Sequence, residues 1–403
     1  MKLKIIILGS CLLIFISLSS CNQFKSDYKC SELDSYYDSI SKNFKLNDLK
    51  KLNPIEIKED YFEVVPIKKP SLLNKNFHED LLDSIANARK IDLKDSRGMD
   101  KLWNEVFKLK VGPITRYDVL KHGSLQNNQA IIYADYKFND CYEEGYWIAL
   151  SQDNGKKWKK YFTGITVNKN YFFKNNSKIS LWKNSHILQI EAVKVKKISN
   201  RILPSKMEEF QTIRDSIAIL LDLSKITLDS DHDGLTNIME ERMLLNSYNP
   251  DTDRDGIIDS KDKNPRFKTI KTGKSILYEV LMGNYIFENE NMFQIDFDNL
   301  PQKKYPYSGN PNGISIFVTD DNAVKGLELK DETLIVMSSR EYQKYKLKYP
   351  YSFKNKDYSK MFLCDNEEEV FKIFTTHCNG DTTYLVKKNN KGWSISILEM
   401  VII

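Results

Sequence analysis

Apolar and polar positions change rhythm several times along the chain. Behind Lys2 and Lys4 the run from Ile5 to Ile16 is almost continuously apolar. Residues 21–75 are polar and lysine-rich, broken by Pro54, Pro66 and Pro70, and read as a tether with one helix near Cys30 to Phe44. Helical spacing follows over His78–Ile91, with Leu81, Leu82 and Ile85 on one face, and over Asp100–Leu109, with Leu102, Trp103, Val106 and Phe107. After Gly112-Pro113 the period becomes that of strands, expected at Ala130–Phe138, Gly145–Leu150, Lys157–Phe162, Lys178–Trp182, Ile187–Val195 and Ser216–Thr227. Beyond Pro265 a helix is expected over Thr272–Met282. Strands are expected at Gly313–Thr319, Glu332–Met337, Thr382–Lys387 and Trp393–Ile397, the last two joined by a turn at Asn389–Gly392. The acidic run Glu367–Glu369 reads as the solvated first turn of a helix toward Phe371–Phe374.

These rhythms predict a multidomain chain. A signal peptide occupies 1–20 and the tether 21–75, followed by a β-rich domain over 76–227, a connector over 228–266 and an α+β domain over 267–403. Tyr and Phe are abundant, at 22 and 20, against 16 Gly and 11 Pro, a balance that suits a β-rich globular chain rather than a disordered one.

The connector carries the most specific chemistry. It holds two D-x-D-x-D-G loops that begin at Asp229 and Asp251, and carboxylates at alternate positions form an oxygen cage for a hard cation such as Ca²⁺. In the first loop Asp229, Asp231 and Asp233 take positions one, three and five, and Gly234 the sharp turn at six. Leu235 offers its carbonyl at seven, Asn237 stands at nine, and Glu240 at twelve can bind through both oxygens. In the second loop the same places fall to Asp251, Asp253, Asp255, Gly256, Ile257, Asp259 and Asp262. Asn237 in place of an acid is expected to weaken the first site, and His232 and Arg254 at position four are expected to face solvent. A short helix from Asn237 to about Asn246 separates the loops, and the second leads directly into Asn264-Pro265, which cannot open a long helix. The arrangement resembles the bacterial form of the thrombospondin type 3 repeat over about 40 residues. That resemblance implies that the aspartates coordinate calcium and that the repeat is a spacer or adhesion element, not a catalyst.

The N-terminus supplies an address. The charged start, apolar run and Leu18-Ser19-Ser20-Cys21 form an export signal. A cysteine directly after the small residues resembles the bacterial lipoprotein lipobox, which implies a mature chain beginning at Cys21 and held in the membrane by lipid on that residue. Asn22 after the cysteine implies the outer membrane, with the periplasmic or the surface side left open. Removing Lys2 and Lys4 takes the formal net charge from +5 to +3, with the basic residues interspersed among acids, so no nucleic-acid partner is implied. Cys30, Cys141, Cys364 and Cys378 then remain, and four cysteines in an exported chain allow three pairings. Cys364 with Cys378 is favoured because both lie in the last domain.

Within the β region, Ser151-Gln152-Asp153-Asn154-Gly155-Lys156-Lys157-Trp158 fits S-x-D-x-G-x-x-W. It resembles the Asp-box hairpin of sialidase propeller blades, where the box is structural. The Ser and Asp side chains are expected to bind turn amides, Gly155 to take a positive φ, and Trp158 to pack under the hairpin. A sialidase-like, carbohydrate-active enzyme is the alternative reading, prompted by Asn200-Arg201-Ile202-Leu203-Pro204. The chain, however, holds a single box, and about 120 residues cannot close a six-bladed propeller. The chain has no nucleophile elbow, phosphate-cradling glycine loop or H-E-x-x-H, and its five histidines have no local acid–base partner. The expectation is a non-enzymatic, calcium-binding, lipid-anchored protein. Its calcium-stiffened spacer separates two domains that bind a protein or glycan, with a periplasmic structural or protective role as a further alternative.

Overall fold

The computed structural model of the chain describes residues 61–71, 119–137, 142–166, 171–175, 177–197, 210–283, 292–296, 313–349, 353–365, 369–377, 380–390 and 392–402. The leader, Cys21, the helices expected at 78–91 and 100–109, and Cys30, Cys141 and Cys378 lie outside these residues. The described chain is β-rich with few helices. Its contacts divide it into two compact units, one holding the described residues up to Pro250 with Tyr345–Phe353, the other holding Asp251–Lys344 and Lys354 onward. The division falls inside the 228–266 segment, so each loop belongs to a different unit.

The first unit contains β1 (Phe62–Pro66), β2 (Val119–Leu125), β3 (Asn128–Lys137), β4 (Tyr142–Ser151), β5 (Lys159–Phe162), β6 (Tyr171–Phe173), β7 (Trp182–Asn184), β8 (Ile187–Lys197) and β9 (Phe210–Asp222), then helices α1 (Leu223–Ile226) and α2 (Asn237–Met243). One antiparallel sheet runs β1-β9-β8-β6 with β7 on β8, and another runs β2-β3-β4-β5. Alternate residues of both sheets turn inward, among them Ile132, Ile148, Leu188, Ile190, Ile219 and Leu221, all buried. Tyr146 of β4 stacks on Phe173 of β6 with centroids 3.9 Å apart, and Trp182 Nε1 donates to Gly123 O at 3.2 Å, so the sheets share this core.

Strand β1 lies within the stretch read as a tether, and that reading does not hold for residues 61–71. Phe62–Pro66 pairs antiparallel with Leu221–Ile217 of β9, and Pro66 is tolerated because β1 is an edge strand. Just beyond it, Ser71 is fixed by groups more than a hundred positions away. The buried Glu191 carboxylate accepts Ser71 N at 2.7 Å, Ser71 Oγ at 2.8 Å and Lys178 N at 2.9 Å. Burial alone would raise the Glu191 carboxyl; the Ser71 and Lys178 donors outweigh it and hold the group ionised, below the usual carboxylate range. Buried Lys174 donates to Ser71 O and to Asp215 Oδ1, each at 2.6 Å. The bond to Lys178 N also explains why the strand expected at Lys178–Trp182 begins only at Trp182, since that amide serves a side chain instead of a ladder. Strand β9 ends earlier than expected, at Asp222, whose carboxylate accepts Ser224 N and caps α1.

The second unit contains α3 (Gly273–Met282), β10 (Met292–Asp296), β11 (Gly313–Val318), β12 (Glu332–Met337), β13 (Lys354–Tyr358), β14 (Phe362–Asp365), β15 (Val370–His377), β16 (Gly380–Asn389) and β17 (Gly392–Ile402). Helix α4 (Ser339–Lys348) begins in it and lies between β12 and β13 in the chain. The sheet runs β10-β17-β16-β15-β13-β11-β12, with β14 on β15. Strand β11 is parallel to both neighbours, which requires the long connections through 319–331 and α4. Helix α3 opens on a capping box of Thr272 and Ser275 and lays Leu277, Tyr278 and Leu281 on Phe317, Leu334, Phe371 and Trp393. The helix expected toward Phe371–Phe374 is strand β15 instead, because Phe371, Ile373 and the residues around them pair along their length with β16. Cys364 is disulfide-bonded, and it is the single cysteine among the described residues.

Arg266 closes this unit's polar frame. It donates from Nη2 to Glu341 Oε1 at 2.8 Å, while Ser338 N and Oγ hold Glu341 Oε2 at 2.8 and 2.9 Å. Burial opposes ionisation of Glu341, but Arg266 and Ser338 bring its pKa down to about 2. A carboxyl with a depressed folded pKa stabilises fully above its unfolded value and loses that contribution as pH falls toward the folded one. Glu341→Gln is therefore expected to cost about 1 kcal/mol at pH 7, after allowance for the group's exposure to solvent. In denaturant titrations the gap should narrow below about pH 4 and vanish near pH 2; a constant gap across that range would refute the assignment.

Candidate metal-binding loops

Both loops are built by their own side chains folding back on the backbone. In the first, Asp229 accepts His232 N through Oδ1 at 2.8 Å and Gly234 N through Oδ2 at 3.1 Å. Asp231 Oδ1 accepts Asp233 N, and Asp233 Oδ1 accepts Leu235 N at 2.6 Å. In the second, Asp251 Oδ2 accepts Gly256 N at 2.8 Å, Asp253 Oδ1 accepts Asp255 N at 3.0 Å, and Asp255 Oδ1 accepts Ile257 N at 2.8 Å. The two loops repeat one another in backbone angle as well. Gly234 and Gly256 have φ of 103° and 100°, and nothing stands where a Gly256 side chain would go, so backbone angle alone selects glycine there.

Position nine closes each loop on position two. Asn237 Oδ1 accepts Ser230 N at 2.9 Å, and Asp259 Oδ1 accepts Thr252 N at the same distance. Asn237 also donates to Ser230 Oγ at 2.8 Å, where Asp259 instead accepts Thr252 Oγ1 at 2.6 Å. The amide thus makes the same closure as the acid with the proton direction reversed. His232 and Arg254 face solvent as expected, and both take left-handed backbone, with φ of 63° and 62°, which no feature of their residue types announces. Glycine enters that region freely and Asn, Asp and His more often than other side chains, so of the two equivalent residues Arg254 is the more strained.

The geometry brings three acids together in each loop. Asp229, Asp231 and Asp233 each offer a ligand oxygen within 4.8 Å of the others, and so do Asp251, Asp253 and Asp255. Either triplet could hold a metal ion. The grouping does not extend to Glu240, Asp259 or Asp262, though Glu240 is fully buried and Asp262 is 2% exposed. Leu235 is half-buried and Ile257 exposed; both use their amides inside the loop. The fit to a cation rests on carboxylate oxygens that no donor reaches. Asp231 Oδ2, Asp253 Oδ2 and Asp262 Oδ2 are buried and accept no hydrogen bond, and buried oxygens of this kind are costly without a partner.

Electrostatics agree with that reading. Burial raises the Asp253 carboxyl, as do the charges of Asp255 and Asp251. Burial also lifts Asp262, aided by Asp255, Asp253 and Glu328 against the Asn264 amide, up to about 6. Asp251 goes the other way: burial would raise it, but the amides of Gly256, Arg254 and Asp255 outweigh burial. An acid whose folded pKa is raised destabilises the fold once ionised, a penalty absent below about pH 4 and complete above about pH 6. Asp262→Asn keeps the acceptor for Asn264 N and removes the charge. In metal-free protein it is expected to add about 2 kcal/mol at pH 7.5 and almost nothing at pH 4. With a saturating divalent cation the order should reverse, the variant melting below the parent. Destabilisation by the variant in metal-free buffer at pH 7.5 would contradict the geometry.

The first loop is set into its unit by α2. Thr236 caps the helix, Ile238, Met239 and Met243 are buried, and Leu244 ends it in left-handed backbone. The guanidinium of fully buried Arg242 lies over the rings of Phe162 and Phe353, 4.1 and 4.2 Å from their centroids. No family model matches the chain, and no curated protein or solved structure matches it either.

Proposed function

We propose that this chain is an exported, lipid-anchored calcium-binding protein whose two loops are of the thrombospondin type 3 kind. Calcium orders the stretch from Leu228 to Pro265, and the β-rich and α+β domains on either side carry the contacts to a protein or glycan partner. The observation that supports this most directly is the triplet of aspartates in each loop, together with the buried, donorless oxygens of Asp231, Asp253 and Asp262. All the candidate ligands are oxygens: the aspartates, Asn237, the carbonyls of Leu235 and Ile257, and the acids Glu240 and Asp262 at position twelve. Such a set, with a bidentate acid available, suits the six to eight ligands and loose geometry of Ca²⁺ better than the strict octahedron of Mg²⁺. Bound calcium supplies charge neutralisation; the chain's own residues supply the cage and its closure.

The turn after β4 supports the Asp-box likeness. Gly155 N donates to Ser151 Oγ at 2.9 Å, Lys157 N donates to Asp153 Oδ1 at 2.9 Å, and Trp158 Nε1 donates to Gly155 O at 3.0 Å. Gly155 has a φ of 82°. These bonds serve the hairpin itself, and the reading assigns no catalytic group to it.

Calorimetric titration tests the proposal. Two Ca²⁺ per chain are expected with dissociation constants in the range of calcium sensors or weaker, about 10⁻⁷ to 10⁻³ M, and none in Asp231→Ala combined with Asp253→Ala. No heat in the parent would sink the calcium reading. Release of the protein from membranes by Cys21→Ser, and its retention without that change, tests the anchor separately.

A further inference from the structure

The exit of the second loop runs along the outer edge of β12. This strand ends the large sheet, with β11 on one side in the register Gly313–Val318 against Glu332–Met337. On its other side Leu334 N donates to Lys263 O at 2.8 Å, and Arg266 Nη1 donates to Val336 O at 2.6 Å. Thr333 Oγ1 reaches Asp262 O at 3.4 Å. Buried Asn264 pins the same segment by donating from Nδ2 to Lys325 O at 2.7 Å and Leu327 O at 2.9 Å. Asp262 is therefore shared: its side chain belongs to the loop, while its carbonyl and the next residue lie against the strand.

What lies beneath is a vulnerable edge. Strand β12 reads ETLIVM, with no proline or lysine, and a bare apolar edge of this kind pairs with another strand. Its one acid, Glu332, is engaged inward by Ser315 Oγ at 2.7 Å and by Lys356. We propose that the second loop is a cation-operated cover for the β12 edge, and that loss of the cation opens this edge to a second copy of the chain. The proposal rests on the calcium reading of that loop. The partner is a second copy because β12 is self-complementary when antiparallel. Pairing centred on Leu334 sets Leu334 against Leu334, Thr333 against Ile335 and Glu332 against Val336, so no like charges face each other. The edge groups of Leu334 and Val336 then bond across a two-fold axis in place of Lys263 and Arg266, and such a contact closes at a dimer.

Hydrogen exchange and sedimentation of the full chain in detergent, with Ca²⁺ or chelator, test this. At low protein concentration, chelation is expected to speed exchange of the Leu334 amide about 100-fold, as for a site filled at a hundred times its dissociation constant. Interior strand β16 should not change. At higher concentration the chelated chain should form a dimer that Ca²⁺ dissolves and that Thr333→Lys prevents. Arg266→Ala should give part of the faster exchange even in Ca²⁺. If calorimetry shows calcium bound while Leu334 exchange and sedimentation stay unchanged, the cover is wrong and the calcium reading stands. No bound calcium overturns both, and equal acceleration in β16 means global unfolding and overturns the cover.

Discussion

Millimolar Ca²⁺ is expected to raise two separate melting transitions, one for each compact unit. A site with a dissociation constant near 10 µM, filled at about a hundred times that concentration, stabilises the unit that contains it by about 2.7 kcal/mol. For units of roughly 150–250 residues that is a shift of about 5–10 °C. Because the contact division falls between Pro250 and Asp251, Asp231→Ala should cancel the shift of the unit built on β1–β9 alone. Asp253→Ala should cancel the other alone. Scanning calorimetry with and without chelator reads both. Loss of both shifts in either single variant would mean that the loops act as one site, against the division.

Arg242 carries the second large effect. It is fully buried with its guanidinium over two phenyl rings, Phe162 of β5 and Phe353. Truncating it forfeits two desolvated cation–π contacts, about 2 kcal/mol each, and leaves a cavity, so Arg242→Ala should lower the urea midpoint of the first unit sharply. Arg242→Lys should recover little, because an ammonium lacks the planar face by which a guanidinium packs on aromatic rings. The first loop's affinity for calcium should fall with the same variants, since α2 follows that loop directly. Full recovery by lysine would show that charge alone matters there.

The loops were legible because everything that builds them is local. Alternating aspartates and a glycine at fixed spacing bring three carboxylates together within six residues, and Asp251–Gly256 folds on itself as that spacing implies. The left-handed backbone at His232 and Arg254 carried no signal, since neither residue type asks for it. Longer-range features were hidden for a related reason. Nothing near Ser71 announces that Glu191 and Lys174 will hold it, and nothing in Asn264-Pro265 announces that it will lie beside β12. Strand β1 is hidden in the sequence because five residues ending in proline look like linker until β9 is set beside them. Strand β15 carries no strand signal of its own, because an acidic run before spaced phenylalanines suits a helix equally well, and only its neighbours decide.

The pairing of β1 with β9 also joins parts of the chain that lie far apart in sequence. Tyr61 is already held, its carbonyl accepting Asp222 N at 3.3 Å and its hydroxyl donating to Gly164 O at 3.1 Å. Removing β1 would therefore take away β9's neighbour as well as these two bonds and bare an apolar edge, so the segment from Tyr61 is part of the folded unit and not a dispensable lead-in.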